Sequence, residues 1–435
     1  MTVTPEALET LEPPTERALR RSITLPQAVA LYAGAVIGAG VLILPGVGAG
    51  AAGPASLVAW TFDGLLGVPI ALTFAALAAR FPDAGGVASF ATRAFGAAAG
   101  IIVGWSYFAA AAVAQALVVL TGSHYAADAL HLGRPPTFAL AAAMLGLAVA
   151  ANLYGLRVSA RLQLVLSAAV ALVLLATTVA AIPHMSGGAL RPFMPDGWHS
   201  VGRAAILLFF AFFGWEAITH LSSEFRDPAR DVPRATVLAA GLVTAVYLGV
   251  AFAVVATGTY GTKELDRVAV AHVLGASLGV GAKWVTATAA VVITLGTANA
   301  FVAATSRLGY ALGRDRSLPA PMARLSTRDV PHVAIAIVGG IATGALLLAF
   351  VAGWGADAFL VVPNSLVVIV YVIAMAAGVR LLAGSARAVA AVATLLCLTI
   401  LPFVGLSLAI PAGVAGAALL YNRWGRGRVR AVTLP

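Results

Sequence analysis

Charged residues are scarce in this chain: Asp, Glu, Lys and Arg together fill 10% of its 435 positions, while apolar residues fill 61%. A soluble domain carries about 25% charged residues, because its surface has to be solvated by water. The scarcity therefore excludes a water-facing globule, and a mean hydropathy of +0.96 points the same way. Cysteine is scarcer still, with Cys397 alone and set in an apolar run. That excludes both a disulfide framework and a thiol metal site, and leaves Cys397 to be read as a small buried hydrophobe. His-Glu-x-x-His and a phosphate-cradling P-loop are both missing, which argues against a metal-dependent intramembrane enzyme and against a self-contained ATP-driven pump. The seven histidines are scattered without metal-ligand spacing, and no cofactor is expected.

What is present is long apolar segments. A helix that crosses a hydrocarbon core of about 30 Å needs about 20 apolar residues. Such segments recur from Leu25 to Tyr421 and begin near Leu25, Pro54, Phe95, Pro136, Arg157, Gly202, Arg234, Gly281, Pro331, Ala356, Ala386 and Gly405. The expected fold is an all-α polytopic membrane protein of about twelve transmembrane helices. Residues 1–22 mix four glutamates with three arginines and show no signal-peptide pattern, so they read as a cytoplasmic tail.

The net charge of +10 raises the question of nucleic acid, and the placement of the charge answers it. With the N-terminus in the cytoplasm, 21 of the 27 Lys and Arg residues fall on the inner side. Only Arg134, Arg191, Arg203, Lys263, Arg267 and Lys283 fall outside. This is the positive-inside asymmetry of a multi-pass protein of the cytoplasmic membrane, with both termini inside. The basic residues then serve topology and anionic lipid headgroups, and no nucleic-acid partner is expected.

Two places break the hydrophobic rhythm in a matching way. The first span contains Gly34-Ala-Val-Ile-Gly38-Ala-Gly40 and then Pro45, and the sixth contains Phe212-Phe213-Gly214-Trp215-Glu216. A mid-span glycine weakens a helix by about 1 kcal/mol relative to alanine. A carboxylate at the bilayer centre costs about 2.5–3.5 kcal/mol or more unless it faces protein or water. The breaks lie five spans apart, and an odd number inverts the second copy. Interrupted segments at corresponding positions of two inverted halves are a pointer to a transporter binding site. Small-residue helix packing is the alternative reading of the glycines taken alone. The expected organisation is a first five-helix repeat over 23–182, an extracytoplasmic loop over 183–201 and a second, inverted repeat over 202–383. Helices 11 and 12 follow over 384–422, with a basic cytoplasmic tail over 423–435.

These residues resemble the amino acid–polyamine–organocation superfamily of transporters. Gly34 to Pro45 looks like that family's unwound opening motif, and Arg80-Phe-Pro82-Asp-Ala-Gly85-Gly86 resembles its segment after the second span. Phe213 to Glu216, followed by Glu224-Phe-Arg-Asp-Pro228-Ala-Arg230-Asp-Val-Pro233-Arg234, resembles its sixth-span signature. Ser306-Arg307 with Asp315-Arg-Ser-Leu-Pro319 resembles the loop after the eighth span. The resemblance implies a LeuT-like fold with discontinuous helices 1 and 6, and a function as a secondary transporter of amino acids. Its look is closest to bacterial exporters of methionine and branched-chain amino acids. Many relatives carry a lysine in the fifth span, whereas this chain reads Leu162-Gln163-Leu-Val-Leu-Ser167, so the coupling ion is left open, with a proton the first expectation.

A zwitterionic substrate has to lose its water near the midplane without leaving either charge unpaired. Broken helices do this with backbone: N–H groups freed around Val36, Ile37, Gly38, Ala39 and Gly40 suit a carboxylate. Carbonyls freed near Phe210, Ala211 and Phe213 suit an ammonium. The resemblance implies the same division of labour, and it places Ala111, Gln115 and Phe301 beside the pocket with Phe210 as an aromatic gate. Phe210 and Phe301 read equally as ordinary core aromatics, and Gln115 as a helix–helix hydrogen bond. A mainly apolar lining favours a neutral substrate.

Glu216 reads either as a protonatable coupling group, since low dielectric favours a neutral carboxyl, or as a paired structural carboxyl. Asp63 is a rival proton site, expected close enough to the outer surface to be solvated. Asn152, Asn299 and Asn364 are expected to satisfy freed backbone or to bridge helices. Glu224 and Arg230 belong to a charged loop that reads as a cytoplasmic ion-pair latch or as a solvated turn. A channel would need a continuous polar lining, whereas the polar groups here cluster at two breaks. An uptake permease or exchanger, and a transporter-fold sensor without flux, are the alternatives to an exporter.

Overall fold

A computed structural model describes residues 24–81, 86–155, 160–217 and 228–432. Among these every regular element is a helix. The helices are α1 (Leu25–Val36), α2 (Leu44–Ala52), α3 (Ser56–Arg80), α4 (Gly86–Phe95), α5 (Ala97–Leu130), α6 (Arg134–Leu153), α7 (Ala160–Ala181) and α8 (Gly197–Leu208). They continue as α9 (Pro228–Ala256), α10 (Lys263–Asp266), α11 (Ala269–Leu278), α12 (Val280–Arg314), α13 (His332–Val351), α14 (Ala356–Leu381), α15 (Gly384–Val404) and α16 (Ala409–Val432).

Nine helical stretches among the described residues are long and apolar enough to cross a membrane, counting Leu44–Arg80 and Gly384–Arg423 as one each. The sequence reading counts twelve spans, and the difference has a local cause. The first and sixth expected spans are the broken ones, and their pieces α1 and Gly197–Phe212 are each too short to span. The last two expected spans run together through the turn at Gly405–Leu408.

α1 starts where Thr24 and Gln27 cap it, the Thr24 N–H donating to Gln27 Oε1 at 3.0 Å, with Pro26 in the first turn, where its missing N–H costs nothing. Small residues then set the packing, because lipid gives helices no hydrophobic reason to associate and close backbone approach has to supply the attraction. α5 and α12 pack antiparallel, Phe108 meeting Gly309 and Gly122 meeting Thr294. α3 and α9 pack antiparallel in the same way, with Trp60 edge-on to Tyr247 and Gly64 against Thr244. Cys397 is fully buried on α15. The outward faces of α7, α13 and α15 carry exposed Leu and Val, as lipid-facing surface does.

Candidate functional site

The helical ladder stops at Ile37, whose N–H donates to Ala33 at 2.8 Å. Ile37 and Gly38 are extended, so the i−4 partners of a continuous helix are out of reach for Gly38, Ala39 and Gly40. A single tight turn over Ala39–Leu42 follows, and α2 resumes with Pro45 in its first turn. The carbonyls released by this break are met by side chains from three other helices. Ser167 Oγ on α7 donates to the Gly34 carbonyl at 2.8 Å, Tyr247 on α9 to Val36 at 3.3 Å and Tyr125 on α5 to Leu42 at 2.8 Å. Among the described residues the N–H groups at the centre of the break have no such covering set, which leaves a cluster of donors of the kind that accepts an anion.

The second break is built alike. α8 tightens into a turn over Phe209–Phe212, then Phe213 is extended and Gly214 has φ +129°, a conformation that glycine adopts and side-chain-bearing residues resist. Asn364 on α14 donates to the carbonyls of Ile206 and Leu207 at 2.6 and 3.2 Å. Asn152 joins α6 to α12 by donating to Asn299 Oδ1 at 2.6 Å. Both of these are the roles expected for the mid-span asparagines.

The two breaks meet. The Ala39–Leu42 turn packs on the Phe209–Phe212 turn, and the Phe210 ring lies so close to Gly40 that a Cβ there would come within 2.7 Å of it. Phe210 is near Phe213 with ring centroids 6.3 Å apart, and Phe213 in turn is near Phe301 of α12 at 6.5 Å and Tyr107 of α5 at 5.5 Å. The structure thus gathers Gly38, Ala39, Gly40, Phe210, Ala211, Phe213 and Phe301 at one place. Ala111 and Gln115 follow Tyr107 by one and two helical turns on the α5 face that ends at Tyr125, so they lie along the line between the two breaks. Gln115 is fully buried, and among the described residues neither its amide nitrogen nor its oxygen has a partner, so no helix–helix hydrogen bond is seen there. A cavity of about 10 Å³, room for about one water, lies beside Ile43 and is bordered by His124, Arg134 and Arg267.

Glu216 sits just past the second break and is held on several sides. Tyr107 donates to its Oε1 at 2.6 Å, and Tyr371 on α14 donates to its Oε2 at 2.5 Å. The Gly214 N–H reaches the same Oε2 at 3.2 Å. The carboxyl therefore ties α5 and α14 to the break. Neither tyrosine was legible as a partner, because each lies more than a hundred residues away along the chain.

Asp63 stands apart from this cluster, on α3. Its expected solvation is not met: it is fully buried, because α9 and α15 pack over α3. Arg230 is exposed in the first turn of α9, and Glu224 lies outside the described residues.

A family model described as amino acid permease matches residues 23–430. An uncharacterized amino acid permease of Bacillus subtilis, YecA, is 33% identical over 411 residues, covering 93% of this chain and 96% of the relative. The L-methionine/branched-chain amino acid exporter YjeH of Escherichia coli is 30% identical over 397 residues, covering 89% and 92%. The branched-chain amino acid permease BcaP of Bacillus subtilis is 26% identical over 344 residues, covering 73% of each chain.

Proposed function

The chain belongs to the amino acid permease family, and on that premise we propose that it carries a neutral, aliphatic or sulfur-containing amino acid by alternating access. The observation that carries the proposal is the meeting of two mid-helix breaks under the Phe210 ring. The donors around Gly38 to Gly40, ahead of the N-terminus of α2, take the substrate carboxylate. The carbonyl side of the Phe210–Phe213 turn takes the ammonium. Phe213, Phe301 and Ala111 surround the side chain, and the unpaired amide of Gln115 supplies the polar contact that a desolvated zwitterion needs beyond the backbone.

The neutral class follows from this lining and is the class named for the exporter and for the branched-chain permease among the relatives. We take the direction to be export, after the first of these. The five-plus-five inverted repeat is supported by the pairing of helices: the first and sixth spans meet at their breaks, and the second and seventh, and the third and eighth, pack antiparallel. The charge asymmetry supports both termini inside, and the latch at the charged loop that holds Glu224 and Arg230 is part of the same reading.

Counterflow in proteoliposomes tests the proposal. Vesicles loaded with unlabelled leucine or methionine should take up the labelled form of either, and arginine or lysine should not compete. Competition by the cationic amino acids with none by leucine or methionine would overturn the neutral-substrate reading.

A further inference from the structure

Among the described residues, Asp63 is the one buried acid that the amino acid site does not use. Its side chain is fully buried in α3, and neither carboxyl oxygen meets a hydrogen-bond donor. Glu216 shows the contrast, since each of its oxygens accepts from a tyrosine hydroxyl. An ionised carboxylate without partners, out of water, costs several kcal/mol. The surroundings of Asp63 thus accommodate the protonated acid and offer nothing to the anion. Buried polar groups left unpaired are rare, and an ionisable one inside a membrane span is a functional site by default.

The position of Asp63 ties its stretch of helix to the amino acid site by packing. Trp60 precedes it by about one turn and stacks edge-on against both Phe212 of the second break and Tyr247, whose hydroxyl holds the Val36 carbonyl of the first. Gly67 follows by one turn and lies against the Trp215 indole, beside Glu216. Both breaks therefore lean on the stretch of α3 that carries Asp63. The indole N–H groups of Trp60 and Trp215 are themselves buried without acceptors.

The ionisable groups around α3 leave Asp63 as the free one. Tyr247 on α9 donates to Val36, and Tyr371 on α14 donates to Glu216. Cys397 on α15 lies within electrostatic range of Asp63 and brings no donor to it. Among the described side chains, the remaining charged groups of the neighbouring helices are the exposed His199 and Arg203 on α8, Arg230, Asp231 and Arg234 near the start of α9, Arg380 in the last turn of α14 and Arg387 near the start of α15. α2 has none.

We propose that Asp63 is the proton-binding site through which a pH gradient drives this carrier, physically separate from the amino acid pocket. In the conformation described here it holds the proton as a carboxylic acid. A conformation in which water reaches α3 lets the O–H bond break and the proton leave, and the carboxylate then favours that conformation because only there is it solvated. This inference rests on the reading of the chain as an amino acid carrier.

Full-length protein in proteoliposomes separates the two. Absence of leucine and methionine counterflow in the wild type would sink the carrier reading itself. Where counterflow is present, Asp63→Asn should lose the accumulation driven by an imposed pH gradient, by about tenfold or more, while Asp63→Glu keeps a gradient response. Gradient-driven accumulation by Asp63→Asn equal to the wild type would overturn the inference, as would wild-type accumulation driven by sodium alone. Infrared difference spectra between acid and alkaline buffer give a readout independent of transport. The wild type should show a protonated-carboxyl carbonyl band that Asp63→Asn lacks, and an identical band in both would refute the assignment even if the variant were inactive.

Discussion

Phe210 lies against Gly40, its ring edge where a side chain on Gly40 would start, and the two residues belong to the two different broken helices. A methyl group on Gly40 would sit 2.7 Å from the Phe210 ring, inside any van der Waals contact, whereas at Gly38 the nearest atom would be 3.8 Å away. Gly40→Ala should therefore cut counterflow by about tenfold or more, through displacement of Phe210 by an overpacking strain of about 1–3 kcal/mol. Phe210→Ala in the Gly40→Ala background should recover part of the loss, because two side chains in contact do not contribute additively. Initial rates across the four-protein cycle check this, and strictly additive losses would show that the contact is unimportant.

Gln115 separates a pocket from a packing role. Its amide is buried with neither end paired, so Gln115→Leu removes an unmet desolvation cost of about 1–3 kcal/mol. The variant should unfold at equal or higher temperature in detergent and bind leucine with a higher Kd. A structural amide would give the opposite thermal result. Melting curves and binding isotherms on the same preparation decide it.

Tyr107 and Tyr371 both hold Glu216, and removing either hydroxyl leaves one carboxyl oxygen short of a donor. Tyr107→Phe and Tyr371→Phe should each lower stability by about 1–3 kcal/mol. The double variant should lose less than the two losses added together, since the groups form one network. Thermal melts of the four proteins measure the coupling.

Asn364 and Tyr125 cover carbonyls that the breaks expose. Asn364→Leu should cost more than Tyr125→Phe, because it uncovers two buried carbonyls, Ile206 and Leu207, where the tyrosine covers Leu42 alone. A cost of about 1 kcal/mol per lost hydrogen bond is expected, read as a lower melting temperature.

The breaks were legible in the sequence because their causes are local: Gly38, Gly40 and Pro45 in one, Gly214 in the other, are residues that helices interior to a membrane use only with a reason. The role of Asn364 was legible for the same reason, an amide in an apolar run with few things to bond. What was not legible depends on how helices cross. Tyr107 and Tyr371 meet at Glu216 only because α5 and α14 flank the second break, and no spacing along the chain records that. Asp63 was expected near water, and its burial comes from α9 and α15 lying over α3, which hydropathy alone does not report. The count of spans differed because a broken helix and a run-on pair defeat a criterion of unbroken length.

The most direct test of the account is whether an amino acid occupies the space between the breaks. The chain's one cysteine is buried, so Cys397→Ala gives a thiol-free background. Ala111→Cys then places a single thiol one turn past Tyr107, and Val285→Cys, on an outward face at 69% exposure, serves as the control. Leucine or methionine should slow alkylation of Ala111→Cys by a membrane-permeant reagent and leave Val285→Cys unaffected. Equal alkylation of Ala111→Cys with and without either amino acid, at concentrations that saturate counterflow, would contradict the placement of the substrate between the two breaks.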